Sequence, residues 1–489
     1  MRFGTRFLLV LTAAGAACAL AGCGDGDSGP VEVVTIGSPP RLVNPNREPL
    51  DASAAFLMQA AAQGLVRFDA AGEIEPALAQ RWTVSDDGLR YTFRLARAEW
   101  PGGGRITARQ VVARLRAAAS PASRNPVKPI LGAIGEVTAM TDEVLEISLK
   151  SPRPGFLQLL AQPEMAVLRD VGGSGPYRMS KSADGGGILL SLPKLEDEDE
   201  EARRSRDTPP IVLHGAAAPE AVARFAAGSA DLVTGGTAGD LAVARAARQP
   251  GNRLVFDPVA GLFGLSFGSV DGVLGQAEAR QALAMAIDRP GLIAAFGAPG
   301  AAPAETILPA GTEGIAQPAA PAWAPLPLDQ RRALAAATFA RLSPERLRVR
   351  VALPDGPGWR LLFAHLRRDW AAVGVEASQV AANAPAELRL IDEVAPVTLA
   401  SWYLRHFACD ASRVCDPAAD ELLAAARLAP TPDNRRALLA TADRIISDAA
   451  PFIPLGQPVR WSLVSPRLTG FRPNRFARHP AGELIRQAP

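Results

Sequence analysis

Residues 347–376 read as strand, helix, strand, and that order narrows the folds open to this chain more than any other feature. Leu347 to Leu353 alternates like a strand, Trp359 to Val373 has helical character, and Gly374-Val375-Glu376 opens the next strand. Such a unit carries the chain back in the same direction, so an open parallel or mixed sheet is expected. The same vocabulary recurs upstream. Val31-Glu32-Val33-Val34-Thr35-Ile36-Gly37 is a β-branched opening strand closed by glycine, and an Ala-rich stretch from Ala54 is helical. Arg81–Val84 and Arg90–Leu95 are strands joined by Ser85-Asp86-Asp87-Gly88, a hairpin turn whose glycine tolerates positive φ. Thr107 caps a helix through Ala118, and Val144–Leu149 alternates as another strand. Residues 300–330 are Pro/Ala-rich and read as a crossing segment or surface loop. The class is α/β, with no internal repeat.

Composition removes several functions. The chain has 489 residues, 48% of them apolar, enough for sizeable cores. Its 52 Lys+Arg against 50 Asp+Glu leave a net charge of +2, which argues against a nucleic-acid binder. Three tyrosines and four histidines are a thin supply of proton-transfer groups, so no enzyme is expected. A secreted hydrolase would need nucleophile, base and orienting group in one cleft, and His214, His365, His406 and His479 are scattered. Gly26-Asp27-Ser28-Gly29-Pro30 resembles the nucleophile loop of trypsin-like proteases, but Ser28 lies where no fold is expected to hold its partners. Glu196 to Glu201, followed by Arg203, Arg204 and Arg206, is the one strong charge block. It reads as a solvated loop, with a docking patch as the alternative.

The N-terminus sets the compartment. Arg2 and Arg6, then Phe7-Leu8-Leu9-Val10-Leu11, then small residues describe an export signal over 1–22. Leu20-Ala21-Gly22-Cys23 resembles the lipobox of bacterial lipoproteins, which implies lipidation of Cys23, a lipid anchor with a tether over 23–30, and a membrane-anchored protein on the periplasmic side of the cell envelope. With Cys18 in the signal, Cys409 and Cys415 remain in an oxidising compartment and read as a disulfide. A metal site with His406 and Asp410 is the alternative, though its spacing fits no familiar zinc pattern.

Six segments then appear in one order. Gly64-Leu65-Val66-Arg67-Phe68 with Glu75-Pro76-Ala77-Leu78-Ala79 comes first. Next are Trp82-x-Val84-Ser85-Asp86-Asp87-Gly88-x-x-Tyr91-Thr92-Phe93-x-Leu95 and Ile106-Thr107-Ala108-Arg109-Gln110-Val111-Val112. Gly173-Ser174-Gly175-Pro176-Tyr177, Ala279-Arg280-Gln281-Ala282-Leu283 with Ala286-Ile287-Asp288-Arg289, and Pro451-Phe452-Ile453-Pro454-Leu455 complete the series. Together they resemble the substrate-binding proteins of peptide and nickel ABC importers, bacterial solute-binding family 5. The resemblance implies a two-lobed periplasmic binding protein fold with an inserted third subdomain. Lobe I would be discontinuous (31–69, 166–261 and 458–489), the insert would span 70–165, and lobe II 262–457. Hinge closure would bury a small solute without breaking a bond.

Within that frame Trp82, Tyr91 and Phe93 read as core of the insert, and Arg280 and Asp288 as local structure. Gly173–Tyr177 reads as a chain crossing between lobes. Peptide-binding members pair the ligand amine with an aspartate after a tryptophan. Asp392 here precedes Trp402, Asp410 lacks the family surroundings, and Asp416-Pro417 looks like the start of a helix. Trp402, Tyr403 and Arg405 are the second-lobe candidates, the aromatic pair being alternatively core. Pro40, Arg41 and Leu42 are the first-lobe candidates, Arg41 either meeting a ligand carboxylate or lying solvated. The expected partners are a peptide-like small solute, ABC permease subunits and, through the lipid, the membrane. No nucleic acid, cofactor or metal is expected, and the chain is expected to be a monomer. Alternatives are a metal chelate or opine-like solute in the same fold, and an envelope sensor or chaperone.

Overall fold

Two sheets of mixed direction carry most of the chain, and a third, antiparallel sheet stands beside them. The computed structural model describes residues 29–153, 155–169, 172–193, 208–343 and 345–485. The export signal, Cys23, Ser28 and the charge block at 196–206 lie outside the described residues.

The opening strand Val31–Ile36 is central to a seven-stranded sheet and buried along most of its length. It pairs in parallel with Ile211–Ala216 on one side and Leu232–Thr237 on the other. Arg460–Val464, close to the C-terminus, and Leu254–Phe256 extend that sheet at one edge. The five-stranded sheet runs Glu376–Ala381, Arg348–Leu353, Leu388–Val394, Gly261–Phe267, Phe452–Gly456. The strands at 348 and 376 are parallel, with the helix Pro357–Ala371 between them in sequence, as the strand–helix–strand reading requires.

The third sheet is four antiparallel strands, Ala79–Val84, Arg90–Leu95, Val144–Leu149 and Ile134–Ala139. Its first hairpin turns at residues 85–88, with Gly88 at φ +67°. The helix Ala108–Ala119 covers this sheet, and Gln110 Oε1 accepts from Thr107 N at 3.0 Å, one half of a capping box. Phe93 is fully buried, Tyr91 meets Phe156 edge-on at 4.9 Å, and Trp82 packs partly buried on the same core.

The chain passes between the two larger sheets twice, at residues 257–260 and 457–459. These passages run side by side: Asp257 N donates to Arg460 O at 3.0 Å, and Gly261 N to Gln457 Oε1 at 3.3 Å. Two short adjacent strands of chain are the covalent arrangement a hinge requires. Elsewhere the sheets meet through packing. Trp359 lies over Gly239, where an added Cβ would fall 2.3 Å from the indole nitrogen, so only glycine allows that approach. Gly358 N donates to Gly239 O at 2.9 Å beside it.

Several local readings acquire physical causes. Gly175 N and Tyr177 N donate to Ala61 O (2.9 Å) and Ala60 O (3.1 Å), so this segment satisfies the C-terminal carbonyls of the helix Ala52–Ala61 on its way into the seven-stranded sheet. Asp288 caps the helix Arg289–Phe296 by accepting from Gly291 N at 3.0 Å. Arg280 donates to the Leu274, Gly275, Ala449 and Ala450 carbonyls. Asp416 caps the helix Pro417–Leu428 through Ala418 N at 2.8 Å. No helix among the described residues is long and apolar enough to cross a membrane.

Candidate functional site

A pocket of about 290 Å³ lies where four stretches of the chain meet, one of them Pro126 and Val127 just ahead of the short helix Lys128–Leu131. Gln162 and Glu164 come from the segment that follows the four-stranded sheet. Glu393 to Pro396, Trp402 and His406 come from the end of the strand Leu388–Val394 and the helix Ala400–Arg405. Phe476 and Arg478 come from the C-terminal tail.

Strand alternation sorts the two acids at 392 and 393. Asp392 points away and is consumed: Arg460 Nη1 donates to its Oδ1 at 2.8 Å and Nη2 to its carbonyl at 2.8 Å. Glu393 faces the pocket and keeps 56% of its side-chain surface open. Trp402 and His406 stand four residues apart, on one face of the short helix. Their rings meet edge-on at 4.6 Å.

The His406 ring is fixed at both nitrogens, Nδ1 2.9 Å from Trp402 O and Nε2 3.1 Å from Glu393 Oε2. A carbonyl and an ionised carboxylate both accept, so the imidazolium form of the ring is the one that makes both bonds at once. Burial opposes that charge, but the Glu393 hydrogen bond and charge, with the Trp402 carbonyl, outweigh it and raise the His406 pKa above its ordinary value. Burial likewise works against the Glu393 carboxylate, and His406 followed by Arg460 reverses the balance, leaving its pKa below the usual range.

The opposite wall holds a second pair, Arg478 Nη2 to Glu164 Oε1 at 3.3 Å. Asn125 sets Glu164 in place by donating to Asn46 Oδ1 (3.0 Å) and to the Glu164 carbonyl (2.9 Å). Gln162 Nε2 donates to Pro396 O at 2.9 Å and ties one wall to the other. Two carboxylates, two cationic side chains and two aromatic rings, Trp402 and Phe476, thus line one pocket, a combination suited to a small polar molecule. No groups of three or more His, Cys, Asp or Glu able to hold a metal ion occur among the described residues.

Of the residues singled out from sequence, Trp402 is a wall of this pocket. It also belongs to the core, 6% exposed and edge-on to Tyr403 at 4.7 Å. Tyr403 is 1% exposed and is not a wall residue; burial pushes its hydroxyl pKa well up. Arg405 is set among Arg427, Asp410 and Asp420, and burial, then the like charge of Arg427, lowers its pKa. Pro40 is buried and Leu42 half-buried beside Met58 and Leu168. Arg41 forks onto Glu48 with two bonds of 2.8 Å. None of these three lines the pocket.

Cys409 and Cys415 are joined as a disulfide, with Cα atoms 5.0 Å apart. The metal alternative therefore falls: its sulfurs are bonded to each other and its histidine to Glu393. Glu393, Gln162, Glu164, Phe476 and Arg478 line the pocket without being candidates on sequence, and His406 enters there as a counter-ion of Glu393 in place of a metal ligand. Strand parity at 392–393 was the one signal within reach. The insert and tail residues carry none, because only the folded chain brings them beside Trp402.

A larger cavity of about 660 Å³ opens along the helix Ala52–Ala61, walled by Arg67, Tyr177 and residues 480–483 among others. It touches no residue between 262 and 457, so closing the two large sheets together would not enclose a solute there. The smaller pocket, by contrast, has walls both from residues between 262 and 457 and from the tail beyond them.

The sequence profile of the bacterial extracellular solute-binding proteins, family 5 Middle, matches residues 73–407. The chain belongs to this family. Among curated relatives, the probable deoxycholate-binding periplasmic protein YgiS of Escherichia coli is 31% identical over 121 residues, 21% of this chain and 23% of that protein. The glutathione-binding protein GsiB of Escherichia coli is 30% identical over 131 residues, 24% and 26% of the two chains. The matched stretch thus spans about a quarter of these relatives' length. Haemophilus influenzae OppA in complex with RPPGFSPFR superposes with a TM-score of 0.80 at 17% identity, over 94% of this chain and 99% of that one. This family member therefore has the two-lobed α/β fold of periplasmic binding proteins.

Proposed function

We propose that this family member is the extracytoplasmic solute-binding component of an ABC importer. It captures a small polar solute of the size of a short peptide by hinge closure and passes it unchanged to membrane permease subunits. The carrying observation is the pocket whose walls come from four segments and hold one ion pair on each side. Its volume of about 290 Å³ sits at the lower end of ligand pockets, roughly 300–1,000 Å³. That favours a dipeptide or amino-acid conjugate over a long peptide. GsiB, a relative named for glutathione, binds a molecule of that scale. The sheet membership of each segment supports lobe I as 31–69, 166–261 and 458–489, the insert as 70–165 and lobe II as 262–457. In this reading binding needs no proton transfer or nucleophile, and the chain works as a monomer. Calorimetric titration with dipeptides and amino-acid conjugates tests it: one solute should bind per chain, and failure of every class would reject it.

The lipobox-like Leu20-Ala21-Gly22-Cys23 supports a lipid anchor facing the periplasm. Replacing Cys23 with Ser should move the protein from the membrane fraction to the soluble one, and unchanged membrane retention would reject the anchor.

A further inference from the structure

We propose that Glu393 is the anchor for a cationic nitrogen of the solute, and that His406 is its resident counter-ion, losing one proton to solvent when that cation arrives. This rests on the solute-capture reading and adds the ligand's charge and the exchange that admits it.

Two ion pairs face the pocket. Glu393 meets His406 at 3.1 Å, with Arg460 behind it already held by Asp392. Across the pocket Glu164 meets Arg478 at 3.3 Å. Each carboxylate thus has one cation, and only one of those cations can leave by losing a proton near neutral pH. Arginine stays charged, whereas histidine titrates in this range.

The ring geometry makes the loss local. Nδ1 donates to Trp402 O, a bond the neutral ring keeps, so the proton to leave is the one on Nε2, which points at Glu393. A solute ammonium beside Glu393 supplies the charge this proton supplied and repels an imidazolium at the same carboxylate. The neutral ring stays anchored to its helix and presents a lone pair at Nε2. The balance is one ammonium bound and one proton released, with no covalent bond to carbon altered. Trp402, edge-on to the His406 ring at 4.6 Å, helps hold that ring in this orientation.

Competition with the resident proton gives the pH sign. Below the His406 pKa the imidazolium occupies Glu393 and the solute cation must displace it. Above that pKa the carboxylate is open, so affinity for a cationic solute rises with pH through that value. This continues until the solute's own amine deprotonates.

The test uses the full chain with alanyl-alanine and its N-acetyl derivative, which differ in the cation alone. His406 is followed by histidine NMR, its signal assigned with His406→Gln, and proton release by calorimetry in two buffers of different ionisation heat. Alanyl-alanine should lower the His406 pKa and release up to one proton, while the acetylated probe does neither. Glu393→Gln should weaken alanyl-alanine binding about tenfold or more and leave the acetylated probe unaffected. His406→Gln should still bind but release no proton, with thermal melts confirming that both variants are folded. Equal binding of the two probes, or binding without proton release, would overturn the cation anchor and leave solute capture standing. A His406 signal unmoved by either probe would overturn it too, solute capture itself being decided by retention of any solute from a mixture.

Discussion

At the scale of single residues, Trp402 does two jobs that sequence reading posed as alternatives. One edge belongs to the core against Tyr403 and another lines the pocket. Trp402→Ala should therefore weaken solute binding and also lower the melting temperature, since large aromatic truncations at buried sites cost about 3–5 kcal/mol. Tyr403→Phe should leave solute affinity unchanged, because that ring is buried away from the pocket. Titration calorimetry beside thermal melts separates the two effects. The His406–Glu393 pair adds a pH signature with a definite sign. Glu393, with its lowered pKa, stabilises above its unfolded value and loses that contribution as pH falls through the folded one. His406, with its raised pKa, stabilises below its unfolded value and loses that contribution as pH rises through the folded one. The stability difference between the wild type and His406→Gln should peak between about pH 4.3 and 6.5, and melts across pH 4–8 would show it.

At the scale of elements, the sequence was most readable where local chemistry decides the outcome. The hairpin at 81–95 declared itself through alternation and a turn glycine, and the structure begins its first strand only two residues earlier, at Ala79. The helix read from Ala54 begins at Ala52 because Asp51 accepts from Ala54 N at 2.8 Å. The helix read from Trp359 begins at Pro357, since proline suits a first turn. The six-residue helix Ala400–Arg405 was not legible, for a helix that short is made by its surroundings. Leu388–Val394 also hid its nature: a strand that lines a pocket mixes charge into its alternation.

The crossing segment 300–330 leaves an acid in an unfavourable place. Asp443, on the helix Pro432–Ala449, accepts from Ala319 N at 2.6 Å while 1% exposed. Burial outweighs that bond and pushes its pKa to about 6. A carboxyl raised on folding costs stability progressively as pH climbs from its unfolded value to its folded one. Asp443→Asn should therefore match the wild type near pH 4 and exceed it above pH 6 by roughly 1–3 kcal/mol, as read from denaturant melts at both pH values.

At the scale of the whole molecule, the fold class was legible and the site only partly so, for one physical reason. A strand–helix–strand order is local information, whereas a pocket is assembled from segments that sequence keeps far apart. Glu164 and Arg478 pair across 314 positions, and Asp257 bonds both Asn474 and His479 of the tail. The tail is thereby fixed beside the first passage between the two large sheets, where a hinge motion would act. Four converging stretches wall the pocket, and in the proposed function they enclose a solute by binding alone. The proposed function requires that the chain shut on a guest and release it unchanged. Mass spectrometry of the solute retained after exposure to a mixed dipeptide library measures this directly. One intact dipeptide-sized molecule should be recovered per chain, and its retention should be lost in Trp402→Ala. Recovery of cleaved products, or of no molecule at all from the wild type, would contradict it.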